Sequence, residues 1–349
     1  VLTNLLKELV WRLSVTALIL AYRYDWIEFP TFVRLFSMSY LLIALLLLVY
    51  LIGTGKLHFH LEISRLTYRL RKIIWRLCLF IFFGMTVLQL ALVFDSLVIS
   101  SVLQGALAQL AIYSLAQNVA AVIQAPQRGL VSASIPPLAR AWKEKNLTEI
   151  QRIYQRSSIN QMLFATGLLG LFALCFREGV AVAGLDTSYQ AAFPVILILG
   201  AARLVDMGTG LNTQIIQTST RWRFELWSGI CLLMITLPTS YLLTKSYGIT
   251  GTALAQLIAI AAYNLIRIIF LWKNYNLFPF TKQTIGVLVL GTVCYTLTSL
   301  ATNTLHGWTA LFAQSILFAI TYSLIAFRLN LSPDIAPVWQ TLKKKMGMK

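Results

Sequence analysis

Arg203 and Asp206 are the residues whose type and spacing point most directly to chemistry. They stand three apart, one helical turn, inside the apolar run 189–211. An ionisable side chain inside a membrane segment is costly and is by default a functional hypothesis. Arg203 lies about 14 residues into its run, roughly 21 Å at 1.5 Å per residue, too deep to reach the surface by extending its stem. A guanidinium there could meet a substrate phosphate, and the nearby carboxylate could carry a proton or help bind a cation. The plainer reading is a self-neutralised pair that keeps the helix foldable. Gly208, Gly210, Asn212 and Thr213 follow, so the end of this helix is polar and free to bend. Asp206 is the only acid expected well inside a span; Asp95 falls in an outer connection. Arg34, Arg76 and Arg267 lie near the ends of their runs and can snorkel, whereas Arg12 sits further in.

Uncharged polar residues form two stripes. Gln109, Tyr113, Gln117 and Gln124 are spaced 4, 4 and 7, and Gln256, Tyr263 and Arg267 are spaced 7 and 4, so each set shares a helix face. Lipid would penalise such faces, so they look into a bundle or a hydrated cavity. Hydrogen bonding between helices accounts for one stripe; two stripes and Arg203 together favour a central polar path. Motifs for enzyme chemistry are missing. His58 and His60 sit in a loop whose one nearby acid is Glu62, His306 is isolated, and there is neither HExxH nor GxxxxGK[ST]. Cys78, Cys175, Cys231 and Cys294 fall in apolar runs without CxxC spacing, so neither a disulfide nor a metal site is implied. No cofactor is expected.

The elements that position these groups follow from composition. The 349 residues are 58% hydrophobic and 12% charged, with a mean hydropathy of +0.73. Soluble chains carry about 25% charged residues. The apolar runs are continuous rather than alternating, which excludes a transmembrane β-barrel. The expected fold is all-α, a polytopic transmembrane bundle of about ten helices. The spans read as 5–22, 31–52, 73–94, 100–125, 159–176, 189–211, 225–244, 250–272, 283–300 and 308–328. Pro126 and the pair Gly248 and Gly251 mark stops.

The net charge of +17 would suggest nucleic acid in a soluble protein. Sorted by connection, it reads as topology. The segments 56–72, 128–156, 221–223, 273–282 and 328–349 hold twenty basic residues, while the alternate connections hold only Arg23, Arg177 and Lys245. By the positive-inside rule the basic segments and both ends of this chain face the cytoplasm of an inner-membrane protein, with no nucleic-acid partner. Arg65, Arg69, Lys72 and Arg76, spaced 4, 3 and 4, share one face of an interfacial helix that would touch lipid headgroups. In 126–158, Pro136 and Pro137 are expected to break the chain before a short helix over 138–145. Asn146 then caps a helix over 147–158, with Glu149 as its capping partner.

Three stretches carry a family resemblance. They are Ser134-Ile-Pro-Pro-Leu-Ala-Arg-Ala-Trp-Lys through Tyr154-Gln-Arg-Ser-Ser-Ile-Asn160, Arg203-Leu-Val-Asp-Met-Gly-Thr-Gly-Leu-Asn212, and Tyr247-Gly-Ile-Thr-Gly-Thr-Ala-Leu-Ala255. In this order the chain resembles the polysaccharide (O-antigen type) flippases of the multidrug/oligosaccharidyl-lipid/polysaccharide exporter superfamily. The resemblance implies a two-bundle, pseudo-symmetric transporter of twelve to fourteen helices, of which about four N-terminal ones are missing here. On that reading 1–55 ends the N-terminal bundle, 56–72 is a cytoplasmic linker helix, 73–272 is the C-terminal bundle of six helices, and 273–349 adds two helices and a basic tail.

The resemblance further implies a cargo, an oligosaccharide on polyprenyl pyrophosphate, flipped by ion-coupled alternating access for surface polysaccharide synthesis. Arg12, Arg34, Arg203 and Arg267 would meet the pyrophosphate. Gln109, Tyr113, Gln117, Gln256 and Tyr263 would meet the sugar, and Asp206 would couple the ion. Pro194 and Pro238 could hinge. Membrane lipids, a polysaccharide polymerase and glycosyltransferases are the implied partners. A small-molecule exporter of the same superfamily, a membrane-embedded glycan-processing enzyme and a non-transporting scaffold remain alternatives.

Overall fold

The computed structural model describes residues 10–54, 65–332 and 334. It is all-helical: α1 Trp11–Arg23, α2 Phe29–Gly53, α3 Arg65–Val102, α4 Ala106–Ile123, α5 Ala125–Lys143, α6 Leu147–Val182, α7 Ala192–Gly208, α8 Asn212–Thr218, α9 Phe224–Tyr275, α10 Lys282–Ala301 and α11 Gly307–Arg328, with a 3₁₀ turn at Thr187–Ala191 before α7. Each expected span overlaps a helix. Seven elements among the described residues are long and apolar enough to cross a membrane: α2, α4, α6, Thr187–Gly208, α9, α10 and α11. The 52-residue α9 supplies two passes, because Gly248 breaks it with φ 61° and ψ −144°. Leu242, Leu265, Ile285, Leu300 and Phe312 stay exposed, as lipid-facing side chains do.

The chain divides into two compact units, Val1–Leu77 and Cys78–Lys349. In the first, α1 and α2 pack as a hairpin. Trp11 stacks on Tyr40 at 5.5 Å, and Tyr22 meets Phe29 and Phe32 at 5.9 and 5.8 Å. Much of the expected linker, 55–64, lies outside the described residues, as does the tail beyond 334. From Arg65 the chain is helical without interruption to Val102.

In the second unit α7 is the central helix, packed by α4, α6 and α9. Ile112, Tyr113, Leu199, Ile249 and Ala253 form one buried cluster. On its other side α6 packs α10 and α11 around Met162, Val287, Phe318 and Tyr322. Small residues allow this closeness: a Cβ on Gly291 would lie 2.2 Å from Thr166 Cγ2, and one on Gly251 would lie 1.9 Å from the Leu243 carbonyl oxygen. The second contact explains why the limbs of α9 fold back so tightly, with Thr244 and Thr252 hydroxyls 2.8 Å apart.

Two local expectations are corrected. Pro136 and Pro137 do not break the chain; they lie inside α5. The carbonyls they deprive of helical donors belong to Ser132 and Ala133, which are exposed and can be satisfied by solvent or headgroups. Asn146 does cap the next helix, accepting from the Glu149 N–H at 3.0 Å. That helix does not stop at 158 but runs 36 residues into the next span. Its apolar stripe at Ile150, Ile153 and Tyr154 packs with Leu138, Leu211 and Leu271. The Glu149 carboxylate pairs with Arg152 at 2.7 Å rather than reaching back to the cap.

Candidate substrate and ion site

The expected pairing of Arg203 with Asp206 is absent. Asp206 lies in the last turn of α7, just before a break that the sequence places at glycines. Gly210 has φ +66°, and a Cβ there would lie 2.8 Å from Ser157 Oγ. Ser158 Oγ donates to the Gly208 carbonyl, so α6 pins the break. In this position Asp206 points to neighbouring helices. Its Oδ2 accepts from Gln124 Nε2 at 3.0 Å and its Oδ1 accepts from Asn264 Nδ2 at 3.1 Å. Each carboxylate oxygen thus accepts from one neutral amide, Oδ1 from α9 and Oδ2 from the α4–α5 junction, and keeps a lone pair free.

Arg203 lies on the other side of that turn. Its charge acts on Asp95 and on Tyr113, while its Nε is buried with no hydrogen-bond partner. Asp95 is a correction to the topology. The apolar run stops near it, but α3 continues seven residues to Val102, so the carboxylate sits inside the bundle at 1% exposure. It accepts from Tyr113 Oη at 3.1 Å and Ser240 Oγ at 3.0 Å. Asp206 is therefore not the only acid within a span. Glu225, in the first turn of α9, is the other one overlooked.

Arg267 does not snorkel; its side chain is 2% exposed. It pairs with Glu225, and it contacts the Tyr263 hydroxyl, with its guanidinium carbon 3.7 Å above that ring. Its Nη1 donates to Thr213 Oγ1 at 2.7 Å and its Nε donates to Ser228 Oγ at 3.3 Å. Snorkelling loses because Glu225 and the α8 hydroxyl bring compensation inward to it. Arg267 and Tyr263, both read as cargo contacts, here serve each other.

From Arg267 a hydrogen-bonded chain runs to Asp206. Thr213 Oγ1 and its N–H donate to Asn212 Oδ1 at 3.3 and 2.6 Å, Asn212 Nδ2 donates to Asn264 Oδ1 at 2.7 Å, and Asn264 donates to Asp206.

No protein-family model matches the chain, and no curated protein matches it in sequence. One solved structure, a lipid II flippase MurJ in an inward closed conformation, matches with TM-score 0.65 at 13% identity over 91% of this chain. The chain shares that flippase's fold. It spans 66% of the flippase's length. An outward-facing multidrug resistance MATE family transporter of the MOP superfamily matches more weakly, with TM-score 0.44, 12% identity, and coverage of 73% of this chain and 64% of that one. The chain is thus an all-α, polytopic membrane bundle of the flippase fold.

Within this flippase-fold bundle, Arg203, Tyr113 and Gln117 come together, Gln117 being close enough to act on the Tyr113 hydroxyl. Gln109 is half-buried on the same helix. Gln256 is 6% exposed, with its Oε1 unpartnered. Arg12 and Arg34 belong to the first unit and are exposed there. Arg69, Lys72 and Arg76 are exposed on α3, as lipid anchors require; the Arg65 side chain lies outside the description. Among the described residues no group of three or more His, Cys, Asp or Glu could hold a metal ion. Outside the spans, the Ser188 N–H, 2.8 Å from Asp186, holds that carboxyl below the usual range.

Two signals for the missed residues were present in the sequence. Asn264 lies one residue from Tyr263 and three from Arg267, on the polar side of the same span. Asp95 lies inside the apolar stretch Val93–Val102, with apolar residues on both sides of it.

Proposed function

We propose that this chain is part of an ion-coupled transporter that flips an oligosaccharide on polyprenyl pyrophosphate across the cytoplasmic membrane for surface polysaccharide synthesis. The observation that carries this reading is Arg203: a cation deep in the bundle, with no ion pair among the described residues and a buried, unbonded Nε. A diphosphate entering beside it gains charge-assisted hydrogen bonds in a medium that screens poorly. Gln109, Tyr113, Gln117 and Gln256 supply uncharged partners for sugar hydroxyls. Arg12 and Arg34, in the first unit, remain candidates for contact with the pyrophosphate. Arg267 and Tyr263 act instead as positioning residues. The fold likeness to a protein named as a lipid II flippase supports the reading. On this account the basic segments and both chain ends face the cytoplasm, and Asp206 couples the ion.

The test is Arg203→Ala in the parent protein. Surface glycan should be lost while membrane level is kept. Normal surface glycan with normal protein level would sink the assignment.

A further inference from the structure

The hydrogen-bond directions around Asp206 distinguish between the two kinds of coupling ion. A backbone N–H is always a donor, so the atom of Asn212 that meets the Thr213 N–H at 2.6 Å is its carbonyl oxygen. The other end of Asn212, its NH₂, therefore donates to Asn264 at 2.7 Å. That contact makes the receiving atom of Asn264 its oxygen. The Asn264 NH₂ is then turned toward Asp206, at 3.1 Å, and also gives a hydrogen bond to the Ile260 carbonyl at 3.1 Å. Two unambiguous backbone groups, one at each end, thus fix the orientation of both amides.

Consequently Asp206 faces donor hydrogens. A metal cation needs oxygen ligands, and Asn264 cannot offer one without breaking its bonds to Asn212 and Ile260. A proton needs only a free lone pair on the carboxylate. The side chain of Gln124, the second partner, has no further hydrogen bond among the described residues, so its N–H···Oδ2 bond is the one that yields. Of the other charged or titratable groups, Tyr263 on α9 acts on Asp206, Arg203 on its own helix is turned to Asp95 and Tyr113 instead, and Arg267 is joined to Asp206 only through Thr213, Asn212 and Asn264. Helix α6 gives it no hydrogen bond or ion pair among the described residues.

We propose that Asp206 takes up a proton and not a metal cation, and that its neutralisation releases Gln124 at the α4–α5 junction. Hydronium gives its proton to Oδ2 and leaves as water; an O–H bond forms and the Gln124 N–H···Oδ2 hydrogen bond is lost. This rests on the reading of the chain as an ion-driven transporter, but its test needs no cargo, so either can fail alone.

Infrared difference spectra would be taken on the purified full chain in lipid nanodiscs, first in choline chloride and then in sodium chloride. Acidification should raise a protonated-carboxyl band that Asp206→Asn removes and Asp95→Asn leaves, with the same midpoint in both salts. Amide exchange over 121–128, corrected for the chemical pH dependence of exchange, should rise about fivefold on acidification, the equivalent of one net hydrogen bond. Gln124→Ala should exchange fast at both pH values, and this arm holds even if Asp206→Asn fails to fold. A band that persists in folded Asp206→Asn overturns the proposal. So does a midpoint that sodium displaces tenfold or more in proton concentration, or exchange over 121–128 that ignores pH.

Discussion

Arg203 and Arg267 are two arginines inside one helical unit, and their surroundings differ in almost every respect. Arg267 is buried, ion-paired with Glu225, stacked on Tyr263 and hydrogen-bonded to Thr213 and Ser228. Arg203 has an unbonded Nε and a carboxylate, Asp95, that neutral hydroxyls already occupy. The first charge is compensated by the protein, whereas the second is left for something else to compensate. Charge inside a membrane protein therefore has two separable uses, and the presence or absence of bonded partners distinguishes them.

The comparison breaks most visibly if both arginines respond alike to truncation. Export should vanish in Arg203→Ala with the melting temperature nearly unchanged, as read by a surface-glycan assay beside a thermal unfolding assay. Glu225→Ala should act in the opposite way. It strands Arg267 in a buried site, a loss of about 3–5 kcal/mol, seen as a lower melting temperature and lower membrane level. Replacing the pair together, Glu225→Leu with Arg267→Met, should recover most of that stability, because apolar groups of similar size need no partner. Recovery of nothing would show that the pair does more than hold charge.

Smaller effects sharpen the picture at the membrane surface. Charge reversal at Arg69 and Lys72 should lower membrane level or disturb topology, each cation contributing about 1 kcal/mol to anionic lipid, with export per molecule retained. Export lost at normal membrane level would move these residues into the cargo path. Asp186 should matter least. Its folded-state pKa lies below the unfolded value, so its contribution is present above the ordinary carboxylate range and fades as pH falls through the lower folded value. Asp186→Asn should leave the melting temperature at neutral pH almost unmoved and flatten its acid limb.

The spans and the Asn146 cap are legible because each depends on local pattern: runs of apolar residues, one side chain and one N–H. The partners of Asp206 were not. A three-residue spacing permits an ion pair with Arg203, but which carboxylate lone pairs are used depends on Gln124 and Asn264, 82 and 58 residues away. Asp95 reads as part of a connection because it stands just past an apolar run, although the helix continues past it to Val102. The distance of Arg267 from the helix end permits snorkelling, and no local signal shows Glu225 folding back onto it across the α9 hairpin. Polar residues in membranes find partners across helices, and sequence spacing along one helix records only half of such a contact.

The central claim is that Arg203 binds the anionic end of a lipid-linked cargo. The direct measurement is binding of a polyprenyl pyrophosphate to the purified full chain in nanodiscs, with Arg203→Ala alongside. The account predicts affinity weaker by about tenfold to a hundredfold in Arg203→Ala, the loss of one charge-assisted contact worth about 1.5–3 kcal/mol. Equal affinity in a folded Arg203→Ala protein would contradict it.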